Sequence, residues 1–381
     1  MRRNWTDFLL LVMGLSFWPA ELRAEKYWMY IGTYTGGQSR GIYKVDVDTG
    51  TPKLGDVELV AEVRNPSFLA LHPTGRFLYA VGELQEFAGK RVGAVSAFAI
   101  EAGTGRLRLL NQQSSGGAGP CHLLVDATGR WVLVANYSGG TTAVLPISQD
   151  GSVGAPVSVK THQGRSVHPT RQREPHPHQV WIADGTNLVL VPDLGTDQVV
   201  LYRLDGQTGQ LAAADPPAVS VPPGSGPRHL AYAPGNQFLF VLNELTATVS
   251  VFRCKDAVPV ELVETVSALP ADFKGENTAA EIVVHPSGRW VFTSNRGHDS
   301  IAIFAFDQAR GQLRLQGHAP SGGRTPRNFA VDPSGRWLFS ANQNSDLIVV
   351  YRIDNERGRL ESTGLSLQVG APVCIVFQPM F

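Results

Sequence analysis

The sequence predicts an all-β fold: a seven-bladed β-propeller with four-stranded antiparallel blades, its ring closed by N- and C-terminal strands sharing one blade. Three observations predict it. One sequence unit recurs six times, with starts spaced by 46 to 57 residues. The composition, with 40 Gly, 25 Pro and only 17% charged residues in 381, suits short strands and tight turns better than helices. The two chain ends carry incomplete copies of the unit that complement each other.

Taken in chain order, MRRNWTDFLLLVMGLSFWPAELRA comes first. Arg2 and Arg3 precede an apolar run from Phe8 to Trp18, then Pro19 and a small residue, Ala24. This is the pattern of a signal peptide over 1–24, with the propeller domain at 25–381. The run is short for a bilayer span, and no other run is longer, so no stable membrane span is expected after cleavage. A periplasmic or secreted protein follows; a cytoplasmic one is the alternative. YWMYIGTYTGG and RGIYKVDVDTG then read as second and third strands without a first.

The six full units begin PSFLALHPTGRFLYAVGE at Pro66, PCHLLVDATGRWVLVANYSGG at Pro120, PHQVWIADGTNLVLVPDLGTDQ at Pro177, PRHLAYAPGNQFLFVLNELTAT at Pro227, AEIVVHPSGRWVFTSNRGHDS at Ala280 and PRNFAVDPSGRWLFSANQNSD at Pro326. Each reads as a strand, a Pro/Asp-x-Gly turn, a second strand, a polar loop and an alternating third strand. An Asp/Glu-x-x-x-Gly-x-Leu turn often leads to the fourth. Glycine supplies the positive φ of the hairpins. His72 and His285 in the HPTG and HPSG turns are expected to be surface turn residues, as are Arg76, Arg130, Arg289 and Arg336. The chain ends in PVCIVFQPMF, a first strand without a second, which completes the N-terminal blade and leaves no open edge. Residues 162–174, HQGRSVHPTRQRE, form a polar insertion before the fourth blade: a flap over one mouth of the ring, or a solvated loop.

Net charge is zero and no Lys/Arg run exists, so no nucleic-acid partner is expected. The three cysteines, Cys121, Cys254 and Cys374, lack CxxC or zinc spacing, and their odd number excludes a fully paired disulfide framework. They read as small buried hydrophobes. No metal and no cofactor are expected.

In a propeller, the lead-ins to inner strands and the exits of second strands converge around the axis. Function sits in such loops on rigid scaffolds. Here those positions hold Tyr34, His122, Asn136, His176, His178, Arg228, His229, Asn243, Glu244, Arg296 and Arg327. Arginine forks bind carboxylate or phosphate and stabilise oxyanions. A neutral histidine takes a proton from water near neutral pH. Each residue also has a structural alternative as an ion-pair or hydrogen-bond partner between blades.

The stretches YIGTYT, GPRHLAYAPGNQFLFVLNELTATVSVF, AAEIVVHPSGRWVFTSNRGHDSIAIF and TPRNFAVDPSGRWLFSANQNSDLIVVY carry a resemblance to the lactonase family of seven-bladed propellers, over essentially the whole chain after the signal. That family includes a bacterial 6-phosphogluconolactonase and a fungal carboxy-cis,cis-muconate lactonising enzyme. The resemblance implies a carboxylic-ester hydrolase that opens a sugar or aldonic lactone. It implies His178, Arg228, Glu244 and Arg296 as catalytic. Tyr34, His122, Asn136, His176, His229, Asn243 and Arg327 are expected around the substrate. The expected partner is a small-molecule lactone, and the protein a monomer or weak dimer. Two alternatives stay open: a muconate-type cycloisomerase, and an exported non-catalytic propeller that binds glycan or protein. Export argues against a cytoplasmic phosphorylated substrate, though not against lactone chemistry.

Overall fold

In a computed structural model of the chain, residues 26–51 and 53–381 are described; the expected signal segment lies outside the described residues. Among these, the strands form seven antiparallel sheets arranged as a closed ring. The inner strands are Pro372–Pro379, Leu69–Leu71, Pro120–Val125, Trp181–Ile182, Pro227–Tyr232, Thr278–Val284 and Pro326–Val331. The repeat grammar thus places six of the seven inner strands, and the expected closure supplies the seventh. Pro372–Pro379 pairs with Lys26–Thr33, which pairs with Gly41–Asp48, in a first blade built from both chain ends. One detail differs from four strands per blade. The outer edge of this blade is shared by Lys53–Leu54 and Glu58–Glu62, both pairing with Gly41–Asp48, which makes five.

The second strands explain the continuous apolar runs. Phe77–Gly82, Trp131–Asn136, Leu188–Asp193, Phe238–Asn243 and Trp337–Asn342 are buried at every position. Each lies between two neighbouring blades, so both of its faces are covered and the hydrophobic alternation disappears. Outer strands face water on one side, and from Ser362 to Gln368 the strand Arg359–Gln368 alternates exposed and half-buried accordingly. Fully buried Phe240, Phe292 and Phe304 contribute about 1.5–3 kcal/mol each by removal from water.

Five of the seams between blades reuse one contact. An aromatic ring at the second-strand start lies against the glycine of the Asp/Glu-x-x-x-Gly-x-Leu-type turn of the next blade. The pairs are Trp28 with Gly105, Phe77 with Gly151, Trp131 with Gly209, Phe238 with Gly311 and Trp290 with Gly358. A Cβ added at Gly209 would stand 2.5 Å from the Trp131 ring, so the glycine is required by close approach as well as by its φ of +71°. Trp131 Nε1 completes the seam by donating to Gly206 O at 3.2 Å.

The two turn histidines do more than cap a surface turn. His285 is only 4% exposed and links its turn to the next blade, with Nε2 2.8 Å from Gly335 O and Nδ1 2.8 Å from Ser287 Oγ. His72 makes the same link to Gly129 O at 3.0 Å. Here the ring stacks blade on blade, so a residue that looks solvated in one repeat touches the next.

Substituting Gly209→Ala tests the seam. Gly185 has the same φ of +71° but nothing within 4 Å of an added Cβ. Gly185→Ala incurs only the backbone cost, on the order of 1 kcal/mol. Gly209→Ala adds the ring clash, for a total of about 2–3 kcal/mol. Thermal unfolding should rank Gly209→Ala clearly below Gly185→Ala; equal melting temperatures would remove the seam contact from the account.

Candidate active site

The site is built on Glu244, the residue following the second strand Phe238–Asn243 of the fifth blade. Its backbone is pinned from both sides: its N–H donates to Gly226 O at 2.7 Å, and its carbonyl accepts from the Ala279 N–H at 3.0 Å. The carboxylate is therefore held where the fifth and sixth blades begin. Three guanidinium groups converge on it. Arg228 Nε lies 3.0 Å from Oε2, Arg296 Nη2 3.1 Å from Oε2, and Arg171 Nη2 2.6 Å from Oε1. Burial alone would push the Glu244 pKa up, but Arg296, Arg228 and Arg171 overcome it and hold the carboxyl at about 2.

The two deeper arginines have further fixed partners. Arg228, 2% exposed, donates Nη1 to Ala280 O. Arg296 donates Nη2 to Ala279 O at 2.9 Å and Nε to Thr278 O at 3.4 Å. Burial lowers the pKa of both. Arg327 differs. Its guanidinium lies over the Tyr34 ring, 5.3 Å from the centroid, and has no hydrogen bond or ion pair with a described residue. Burial opposes its charge, but Tyr34, Glu83 and Glu244 outweigh that and raise its pKa. Tyr34 is itself fixed, its hydroxyl donating to Glu83 Oε2 at 2.8 Å.

His178 precedes the inner strand of the fourth blade, its N–H donating to Pro192 O at 2.9 Å. The side chain is buried and Nδ1 has no hydrogen-bond partner among the described residues. Burial first, and then Arg228 and His229, depress its pKa well below the ordinary value, so the ring is a neutral imidazole. His229 stands beside it, ring centroids 5.3 Å apart. Glu281 Oε1 lies 2.8 Å from His229 Nδ1 and the same carboxylate accepts from Asn328 Nδ2 at 2.6 Å and from the Ile282 N–H at 3.0 Å. Burial would raise the Glu281 pKa; His229 and Arg228 hold it below the ordinary range. An ionised acceptor fixes the His229 proton on Nδ1 and leaves a bare lone pair on the buried, unpartnered Nε2. His178, Arg228, His229 and Arg327 line one small pocket, with Cys121 beside them donating Sγ–H to His178 O at 3.2 Å.

The structure thus brings His178, Arg228, Glu244, Arg296, Tyr34, His229 and Arg327 together. His176 stands at the edge, stacked on Tyr137 at 4.4 Å. Three expected contacts fall elsewhere. Asn136 and Asn243 are fully buried in the scaffold: Asn136 Nδ2 donates to Ser115 O at 3.0 Å, and Asn243 Nδ2 to Thr248 Oγ1 at 2.9 Å. Asn136 ties its second strand to a neighbouring loop, as Asn295 and Asn342 do, while Asn243 ties its own to the third strand of the same blade. His122 packs on Phe68 at 4.0 Å and meets the His229 ring at 5.5 Å, but lines a cavity of about 930 Å³ that opens from the other end of the channel rather than the small pocket of His178 and Arg228.

Sequence reading did not single out four residues. Glu281, Glu83 and Tyr137 occupied positions the repeat marked, without a role. Arg171 lies in the insertion at 162–174, where no repeat register reaches.

The sequence matches the family described as Lactonase, 7-bladed beta-propeller, over residues 28–377. The chain belongs to this lactonase family. It is 36% identical to a protein named 6-phosphogluconolactonase from Bacillus subtilis (strain 168), across 80% of this chain and 84% of that one. A second so-named relative, from Formosa agariphila, is 33% identical over 79% and 85%. The solved structure of the Pseudomonas aeruginosa periplasmic gluconolactonase superposes with a TM-score of 0.88 at 35% identity, covering 93% of this chain and all of that one.

Glu244→Gln keeps the side-chain shape and removes the charge that three arginines share. Breaking a buried pair in this way costs about 3–5 kcal/mol, to be read from urea unfolding at pH 7. The sign with pH follows from the depressed pKa. The carboxylate's contribution is complete above its ordinary value of 4.5 and is lost as pH falls towards about 2, so the gap between wild type and variant should close over that interval.

Proposed function

We propose that the protein hydrolyses a sugar or aldonic lactone, as the names of its relatives indicate for them. The single observation that carries this reading is the pairing, in one pocket, of a neutral His178 with the uncommitted Arg327 guanidinium. An ester carbonyl needs a base for water and a cation for the oxygen that becomes negative, and the two stand side by side.

In this mechanism water attacks the lactone carbonyl while His178 takes its proton. Negative charge moves onto the carbonyl oxygen, where Arg327 and the remaining donors of Arg228 stabilise it. Collapse breaks the ring C–O bond, and the imidazolium returns the proton to the departing alkoxide. The product is an open-chain hydroxy acid whose carboxylate still faces the arginines. General-base help of this kind contributes about 10²–10⁴ in rate, and one oxyanion donor about 10²–10³. Glu244, held at about 2 by three cations, is suited to anchoring arginines rather than to carrying protons. A lactone is an activated ester, so the scheme uses only this chain's own groups. The signal-like start, together with the periplasmic neighbour, supports action outside the cytoplasm.

Lactone hydrolysis by the purified chain, followed by proton release, tests this. His178→Ala should lower kcat by at least about 100-fold, and Arg327→Met by a similar factor, with both variants folded. Full activity in both would overturn the assignment, and a wild type inactive on every lactone would favour a binding propeller. The pH profile has a definite sign. Because the fold depresses the His178 pKa, the base stays neutral below its ordinary value of 6.5, so kcat/KM should hold its neutral-pH level through pH 6.

A further inference from the structure

We propose that Arg171, carried to the mouth by the insertion at 162–174, is the specificity-determining group for a lactone bearing an anionic substituent. This rests on the lactonase reading and names the substrate class of the same site.

The insertion is a built strap. Gln172 is fully buried beneath it, donating Nε2 to Leu194 O and to Asp197 Oδ1, both at 2.8 Å, while its Oε1 accepts from the His168 N–H at 2.9 Å. Ser166 Oγ closes the strap onto Asp197 Oδ2 at 2.5 Å. Its charged residues are Arg165, Arg171 and Arg173 against one acid, Glu174. The neighbour of the anchoring Gln172 is Arg171, whose side chain reaches over to Glu244.

The charge balance there is uneven. One carboxylate, Glu244, faces three guanidinium groups. Two of them, Arg228 and Arg296, are 2% and 13% exposed and have backbone carbonyls as further partners; Arg171 is 38% exposed. Only its Nη2 is engaged, by Glu244 Oε1 and by Tyr137 Oη at 3.2 Å. Nε and Nη1 make no hydrogen bond with a described residue. Arg171 is therefore a partly desolvated cation in surplus over its counter-charge, with open donors in the fork geometry that fits carboxylate or phosphate.

Its place relative to the reacting centre fits this role. The Tyr137 ring meets His178 edge-on, with centroids 5.5 Å apart, while the hydroxyl at the far end of that ring meets Arg171. Tyr137 thus touches both the base and the surplus cation. A carbonyl placed at His178 leaves a substituent across the sugar ring facing Arg171. A neutral polyol makes little use of that charge; a phosphate or carboxylate neutralises it.

The test compares kcat/KM for three lactones: neutral glucono-1,5-lactone, its 6-phosphate, and a carboxylate-bearing glucarolactone. The wild-type chain is run beside Arg171→Gln and Arg171→Lys, each checked for an unchanged fold by its melting curve. Lost charge-assisted contacts correspond to roughly 10–100-fold. Arg171→Gln should lose that factor on an anionic lactone, mainly through KM, and at least about tenfold less on the neutral one. Arg171→Lys should recover part of it. Whichever anionic substrate shows the selective loss identifies the substituent as phosphate or carboxylate. Equal losses on neutral and anionic lactones would overturn the proposal and reduce Arg171 to a partner of Glu244, while leaving the lactonase reading intact. A wild type inactive on all three would overturn both.

Discussion

The mouth of this propeller depends on one buried carboxylate shared by three arginines. Glu244 would not be ionised at its depth alone, and Arg228 and Arg296 would not be tolerated there without it. Together they create a fixed positive wall, and that wall determines the rest. It adds to the burial that keeps His178 neutral, since Arg228 disfavours a further cation beside it. It leaves Arg327 and Arg171 as the charges available to a substrate. The arrangement costs stability in desolvation and is held by the backbone bonds of Glu244 to Gly226 and Ala279.

A closed ring is a suitable support for such a set. The groups come from the first, fourth, fifth, sixth and seventh blades, so their separation is set by how blades stack rather than by any one loop. Aromatic rings seated on turn glycines, and histidines linking one turn to the next, fix that stacking at the rim. Donors held rigidly around the place where charge develops need not reorganise during reaction. The other end of the channel is different in kind, a wide and mainly apolar cavity with no comparable concentration of charge.

Much of this was legible in the sequence. The Pro-Arg-His lead-in and the Asn-Glu exit of one repeat marked Arg228 and Glu244 as neighbours, because second strands return every repeat to the same mouth. The closing strand was legible because PVCIVFQPMF lacks a second strand and YWMYIGT lacks a first. Side-chain direction was not. Asn136 and Asn243 share the register of the mouth but turn into the scaffold, where their amides satisfy backbone and hydroxyl groups. His122 faces the lower channel, and the HPSG turn by itself does not reveal that His285 is buried, because its partner, Gly335, belongs to the next blade. Arg171 was hidden for another reason: an insertion follows no repeat, and only the buried Gln172 beside it reveals where it points.

The most direct measurement is a crystal structure of the protein with an aldonate, the open-chain acid that lactone hydrolysis releases. The carboxylate should lie on Arg327 and Arg228, within hydrogen-bond reach of His178, with Glu244 still bound by its three arginines. An aldonate found only in the cavity at the opposite end of the channel, with the mouth unchanged, would contradict the account.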